Sequence, residues 1–264
     1  MTIGEIIRGS GLDRSESEIL VAEALGNERT WILAHERDEV EERQRQHIEE
    51  FLGRRKSGEP VSYITGKKEF FARTFSVTPA VLIPRPSTEQ LIVSTVRFLR
   101  NPRDETREVD ANVSVVARVL RLELRPTMIV DVGTGSGCIA VTLALECPGL
   151  RVVATDVSEE ALRVARENAR RYGISGKIEF LAGGELQPVG HLREPFLIVS
   201  NPPYVPSGAP LSREVRDFEP SSALFGGPEG MDVLTRILSQ ARNHPFCAGI
   251  LLECQTDQIS KLLA

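Results

Sequence analysis

A regular alternation of predicted strands and helices fills the second half of the chain. Short apolar runs, typical of buried strands, recur there, and segments with helical periodicity separate most of them. Strands connected in this way form parallel sheets with both faces covered, and ligands bind at the carboxyl ends of the strands. The pattern predicts an α/β protein whose strands are Met128–Val132, Arg151–Thr155, Lys177–Leu181, Phe196–Val199 and Gly249–Glu253.

A glycine-rich loop joins the first of these strands to its helix and reads Asp131-Val132-Gly133-Thr134-Gly135-Ser136-Gly137. Glycines let the backbone turn tightly and approach a ligand closely, while the N-terminus of the following helix offers free N–H groups. A nucleotide-like cofactor is therefore expected. The spacing Gly135-x-Gly137-x-x-Ala140 also satisfies a loose dinucleotide-binding fingerprint. At this point a nicotinamide-dependent oxidoreductase is therefore an alternative function.

Asp156 ends the next strand, roughly 20 positions further along the chain. An acidic side chain at this place can accept hydrogen bonds from both hydroxyls of a ribose. A helix cap is the alternative role, but Ser158 already fits that position. The loop and the acid together predict an adenosine-containing cofactor without identifying it.

The turn Asn201-Pro202-Pro203-Tyr204 closes the strand that starts at Phe196. The prolines fix the backbone, so that the amide of Asn201, the bare carbonyl of Pro202 and the ring of Tyr204 lie at the mouth of the sheet. Such a group suits a planar ligand with an NH2, either a carboxamide or an adenine. On its own the turn is equally compatible with a simple strand ending. Beside a cofactor it favours methyl transfer to nitrogen over hydride transfer.

Several stretches together resemble a known family. The glycine loop, Asp156 and the Asn201 turn resemble class I methyltransferases that use S-adenosylmethionine. Further stretches are similar to the N5-glutamine methyltransferases of peptide chain release factors, also called the HemK or PrmC family, and the resemblance covers nearly the whole chain. These stretches are 83–89, 219–230 and Leu252-Glu253 with Gln258.

The resemblance implies methyl transfer from S-adenosylmethionine to the side-chain amide nitrogen of the glutamine in the Gly-Gly-Gln motif of a release factor. It assigns catalysis to Asn201, Pro202 and Tyr204, and adds Pro203 and Arg85 to the substrate-binding residues. No metal is implied. The implied cofactor-binding residues are Asp131, Gly133, Thr134, Gly135, Gly137, Asp156 and Asn201.

The expected fold is a class I methyltransferase Rossmann-like sheet with a small N-terminal helical domain and a connecting β-hairpin. Capping boxes at Thr2 and Ser15 indicate helices at the start of the chain. We predict a partner-binding helical domain over residues 1–62, a linker hairpin over 63–84 and the methyltransferase domain over 85–264. One more helix is predicted from Val113 to Leu124.

Three departures from the family pattern set further expectations. The acidic residue expected near the adenine is displaced by one position, because the chain has Gly184 followed by Glu185. The stretch 101–125 is longer than usual. The antiparallel strand pair that normally completes the sheet is not found before Ala264, so the last strand is expected to be an unpaired edge.

The amino-acid composition helps to choose among the alternative functions. A net charge of -5 and a pI near 5.6 argue against a domain that grips nucleic acid, and so against the alternative of an adenine-N6 nucleic-acid methyltransferase. A ribosomal protein glutamine methyltransferase and a cofactor-binding module without turnover stay open. Without a visible signal or spanning segment we expect a cytoplasmic monomer with no membrane partner. The four cysteines are widely spaced, which is typical of buried thiols.

Overall fold

A computed structural model of the protein describes residues 1–101, 108–109, 113–121 and 123–263. The chain divides into two compact units, Met1–Lys67 with Ser212–Phe218, and Lys68–Leu211 with Glu219–Ala264. Apart from Lys67, the residues of the hairpin belong to the second unit, and a short segment after the Asn201 turn belongs to the helical unit.

The helices and strands follow the predicted alternation closely. The helices are α1 (Ile3–Gly9), α2 (Arg14–Leu25), α3 (Arg29–Ala34), α4 (Glu42–Lys56), α5 (Val61–Thr65), α6 (Glu89–Arg100), α7 (Cys138–Glu146), α8 (Glu159–Arg171), α9 (Arg213–Phe218), α10 (Asp232–Asn243) and α11 (Ile259–Leu263). The strands are β1 (Lys67–Phe70), β2 (Arg73–Ser76), β3 (Glu108–Val109), β4 (Val113–Val119), β5 (Met128–Val132), β6 (Arg151–Asp156), β7 (Ile178–Ala182), β8 (Phe196–Ser200) and β9 (Cys247–Gln255).

The helical unit is built from short, capped helices around an apolar core. The capping box predicted at Thr2 is confirmed, since its hydroxyl accepts the N–H of Glu5 and the Glu5 carboxylate accepts the N–H of Thr2. The cap predicted at Ser15 is wrong. Asp13 caps α2 instead, because its carboxylate accepts the N–H groups of Ser15 and Glu16.

An ion-pair cluster explains why α9 belongs to the helical unit. Arg55 on α4 bonds Glu16 on α2 at 2.8 Å and Glu214 on α9 at 3.2 Å. The Arg55 side chain is only 16% exposed, so solvent screens these pairs less than it screens pairs on an open surface. The order of the elements along the chain does not predict that α9 associates with the helical unit.

The second unit contains a sheet that, within the described residues, has seven strands in the order β3-β4-β9-β8-β5-β6-β7. Strands β9, β8, β5, β6 and β7 run parallel, and β4 and β3 are antiparallel additions at one side. One face packs against α6, α7 and the hairpin, and the other against α10. The predicted α/β architecture is therefore confirmed.

The helix predicted from Val113 to Leu124 is wrong, because the chain forms strand β4 there. β-Branched residues favour a pleated strand, and Val115 and Val116 are buried in the apolar layers on opposite faces of the sheet. Pairing runs antiparallel from Val113 opposite Gln255 to Val119 opposite Gly249, which gives the backbone of β9 hydrogen-bond partners.

The expectation of an unpaired last strand is therefore also wrong. Strand β4, from the earlier part of the chain, pairs with β9 on the side away from β8. Part of the stretch 101–125, which was expected to be longer than usual, falls outside the described residues.

The described parts of the chain contain no helix whose length and apolar character would let it cross a bilayer. In the same residues no cluster of three or more His, Cys, Asp or Glu side chains is arranged to hold a metal ion. All four cysteines are free thiols, and Cys138, Cys247 and Cys254 are buried.

We predict that Val116→Asp destabilises the protein by about 3 kcal/mol or more, because it places an unpaired carboxyl group in the apolar layer against β4. The matched control is Val93→Asp, since Val93 is 39% exposed on α6. Urea unfolding of the full chain measures both changes. Equal unfolding midpoints for the two variants would contradict the placement of β4 in the sheet.

Candidate functional site

A cavity of about 290 Å³ lies at the carboxyl ends of the parallel strands. Its wall is formed by the loops that follow β5, β6, β7 and β8, together with a segment that precedes α6. The predicted meeting of the glycine loop and the Asn201 turn at this edge is confirmed. The principal lining segments are 132–136, 156–158, 183–185, 201–203 and 80–85, with Thr88.

The glycine loop contains backbone conformations that favour glycine. Gly133 and Gly135 have φ values of 73° and 54°, in the left-handed region. The carboxylate of Asp156 accepts hydrogen bonds from the N–H of Gly135 and of Ser158, both at 2.9 Å. Burial raises the pKa of Asp156 above its usual value, while these bonds oppose the rise. Asp156 therefore supports the loop and also lines the cavity.

Asp131 and Gly137 lie behind the glycine loop and do not line the cavity. The fully buried Asp131 carboxyl accepts a 2.6 Å hydrogen bond from the Thr134 hydroxyl and a 3.1 Å bond from the N–H of Ala140. Gly137 has φ 78°, and a Cβ there would lie 2.9 Å from the Cβ of Ala165 on α8. Both residues shape the loop from behind, outside the lining of the cavity.

The Asn201 turn presents polar groups to the cavity from the opposite side. Asn201, Pro202 and Pro203 all line it. The Nδ2 of Asn201 donates a 2.9 Å hydrogen bond to the Thr88 hydroxyl. Just before the turn, the Ser200 hydroxyl donates to the carbonyl of Val132 at 2.6 Å, which ties the end of β8 to the end of β5.

Tyr204, by contrast, is not among the cavity-lining residues. Its hydroxyl donates a 2.8 Å hydrogen bond to the buried carboxylate of Glu253, and its ring packs against the apolar layer below the sheet edge. Burial, with the nearby charge of Glu253, raises the pKa of Tyr204. The Tyr204 carbonyl accepts a 2.9 Å bond from Gln258. In this structure the Tyr204 side chain forms the base of the turn, outside the lining of the cavity.

Arg85 lines the cavity and is held in place by a buried acid. It forms an ion pair with Glu219, whose side chain is fully buried. The second oxygen of Glu219 accepts the N–H of Ile83 at 3.2 Å. Sequence reasoning assigned no individual role to Glu219, although it begins the stretch 219–230 that carried part of the resemblance.

The displaced acid is found at the cavity wall and is already paired. Glu185 bonds Arg236 at 2.7 Å, and both residues line the cavity. Next to Asp156, the apolar side chain of Val157 is 70% exposed on the same wall. A carboxylate for ribose hydroxyls, an apolar surface for a base and a glycine-lined approach fit an adenosine-containing cofactor.

The chain is similar to known proteins along most of its length. A family model described as PrmC N-terminal domain matches residues 7–66, and one described as methyltransferase small domain matches residues 105–216. A release factor glutamine methyltransferase of Koribacter versatilis is 39% identical over 233 residues, covering 88% of this chain and 75% of that protein.

Two further relatives extend the comparison. The protein of the same name from Nitratidesulfovibrio vulgaris is 39% identical over 241 residues, covering 90% of this chain and 74% of that protein. The one from Moorella thermoacetica is 36% identical over 264 residues, covering 97% and 85%. The last alignment spans nearly the whole chain and therefore includes residues of both compact units.

Asp131 predicts a pH-dependent stability. Burial raises its folded-state pKa from 3.8 to about 7, so the folded protein keeps a proton that the unfolded chain releases. Stability should therefore fall as the pH rises from about 4 to about 7. We predict a flatter profile for Asp131→Asn, which cannot titrate. Urea unfolding across this range measures both proteins, and parallel profiles would contradict the raised pKa.

Proposed function

The chain belongs to the release factor glutamine methyltransferase family, and we propose that it methylates the side-chain amide nitrogen of the glutamine in the Gly-Gly-Gln motif of a peptide chain release factor. The methyl donor of this class I methyltransferase is S-adenosylmethionine. The observation that carries the proposal is that Asn201 and Pro202 line the same cavity as the glycine loop and Asp156.

Asn201 and Pro202 would bind the acceptor. The nitrogen of a glutamine amide is a weak nucleophile because its lone pair is delocalised. The Oδ1 of Asn201 and the carbonyl of Pro202 are two acceptors that can bind its two N–H groups and orient the nitrogen. Alignment at a separation of about 3 to 3.5 Å can contribute roughly 7–11 kcal/mol to lowering the barrier.

The opposite wall would hold the cofactor. When bound, S-adenosylmethionine supplies a methyl group on a positively charged sulfur. Asp156 would accept hydrogen bonds from the ribose hydroxyls, and Gly133 and Gly135 would allow close approach of the ligand to the loop. Asp131 and Gly137 would act indirectly, by shaping this loop. No base is needed before the attack, because the acceptor nitrogen becomes acidic as its new bond forms.

We further propose that the helical unit, residues 1–67 with 212–218, contacts the release factor. The match of residues 7–66 to the PrmC N-terminal domain supports this role. A release factor substrate also supports a cytoplasmic location, where translation termination takes place.

The direct test offers radiolabelled S-adenosylmethionine and three acceptors to the protein: a release factor, its variant with Ala in place of the motif glutamine, and DNA. We expect label on the unmodified release factor alone, because two acceptor groups and an acidic protein fit an amide better than a nucleic acid. Label on the Ala variant, or on DNA alone, would contradict the proposed function.

Two substitutions should separate acceptor binding from cofactor binding. We predict that Asn201→Ala abolishes transfer but leaves cofactor affinity within about threefold, whereas Asp156→Ala weakens cofactor binding by about tenfold or more. Calorimetry with the cofactor and labelled transfer assays measure the two effects. Asn243→Ala, at an exposed position on α10, is the control. Loss of cofactor binding in Asn201→Ala would show a structural role for that residue.

A further inference from the structure

The carboxamide of Asn201 can lie in its site in two orientations that differ by a half-turn. One presents Oδ1 to the cavity and the other presents Nδ2. Only the first can accept a hydrogen bond from an acceptor NH2, since the second sets a donor against a donor. The proposed function therefore requires a second group that decides which end of this side chain faces the ligand.

Thr88 is in contact with the Asn201 carboxamide. It ends the 3-10 turn Pro86–Thr88 just before α6 and is 2% exposed. Its hydroxyl accepts the Nδ2 proton of Asn201 at 2.9 Å. The same hydroxyl lies beside the carboxyl group of Glu253 on β9, where it opposes the rise that burial causes in the pKa of that group. Thr88 thus lies between the acceptor turn and a buried acid.

Glu253 favours one direction for the hydrogen bond between Thr88 and Asn201. A carboxyl oxygen attracts the single proton of the Thr88 hydroxyl, so the lone pairs of that hydroxyl are left for Asn201. The Tyr204 hydroxyl donates to Glu253, at 2.8 Å. Burial raises the pKa of Glu253, while the Thr88 and Tyr204 hydroxyls and the nearby charge of Arg85 oppose the rise.

We propose that Thr88 is a positioning residue for methyl transfer, which holds Asn201 through Nδ2 so that Oδ1 faces the acceptor. The order of donation runs from Asn201 to Thr88 and from Thr88 to Glu253. This inference rests on the proposed function, because it assigns a task to the same site. It also gives Tyr204 a task away from the acceptor, as a second donor that holds Glu253 in place.

The orientation sets the chemical class of the acceptor. With Oδ1 of Asn201 and the carbonyl of Pro202 both accepting, the site binds a planar group that carries two N–H donors. A carboxylate in the same position would set acceptors against acceptors. The arrangement therefore binds glutamine in preference to glutamate. One charge-assisted mismatch corresponds to a difference in affinity of about tenfold or more.

The test compares Thr88→Val, which keeps the shape but removes the hydroxyl, with Thr88→Ser, which restores the hydroxyl. The matched control is Thr95→Val, because Thr95 is fully buried on α6 and its hydroxyl bonds the carbonyl of Leu91 on the same helix, at 2.7 Å. For each protein we would measure kcat and KM for release factor methylation, the cofactor Kd and the midpoint of thermal unfolding.

We expect Thr88→Val to lower kcat by about tenfold or more and Thr88→Ser to stay within about threefold of the unsubstituted protein, with cofactor Kd unchanged in both. Thr95→Val should match the unsubstituted protein in kcat. The proposal is overturned if Thr88→Val keeps full kcat. It is also overturned if the Val and Ser variants lose activity together with cofactor binding and thermal stability.

A second measurement reports the orientation of the Asn201 carboxamide and needs no methyl transfer. In protein labelled with 15N-asparagine, the side-chain amide signal of Asn201, assigned with Asn201→Ala, should shift and exchange faster in Thr88→Val but not in Thr88→Ser or Thr95→Val. An unchanged signal in Thr88→Val would refute the contact. Absence of transfer by the unsubstituted protein would instead refute the proposed function, and the two failures are therefore distinguishable.

Discussion

Parallel pairing of β5 with β8 is the constraint on which the rest of the site depends. In this pair Met128 lies opposite Phe196 and Asp131 lies opposite Val199. The two strands therefore reach their carboxyl ends at the same edge of the sheet. The Ser200 hydroxyl then bonds the carbonyl of Val132 at this end. Because the glycine loop follows one strand and the Asn201 turn follows the other, the pairing brings the loop and the turn into one cavity.

Buried carboxyl groups form a second layer behind this cavity. Asp131 supports the glycine loop, Glu219 holds Arg85 and the backbone of Ile83, and Glu253 accepts a hydrogen bond from Tyr204 and lies beside Thr88. Burial of an acid costs free energy unless donors compensate it, and each of these acids accepts at least one hydrogen bond. The same donors fix the side chains that line the cavity, so this layer sets the geometry of the site.

The sequence predicted most strongly those features that depend on neighbouring residues. Strands β5 and β8, the glycine loop and the Asn201 turn follow from short apolar runs, glycines and prolines. The strand β4 was misread as a helix, because its place in the sheet is decided by pairing with β9, more than a hundred residues later. Thr88 was not recognised as a partner of Asn201 for the same reason, since 113 positions separate them. A single acid inside the apolar run 250–254 was the one local signal for Glu253.

The decisive experiment is a crystal structure of the protein with S-adenosylhomocysteine and a release factor peptide that contains the Gly-Gly-Gln motif. We expect the amide nitrogen of the peptide glutamine to lie within about 3.2 Å of both Asn201 Oδ1 and the Pro202 carbonyl. We also expect Asn201 Nδ2 to stay on Thr88. A glutamine amide bound away from the Asn201 turn, or facing Nδ2 of Asn201, would show that the turn does not bind the acceptor in this way.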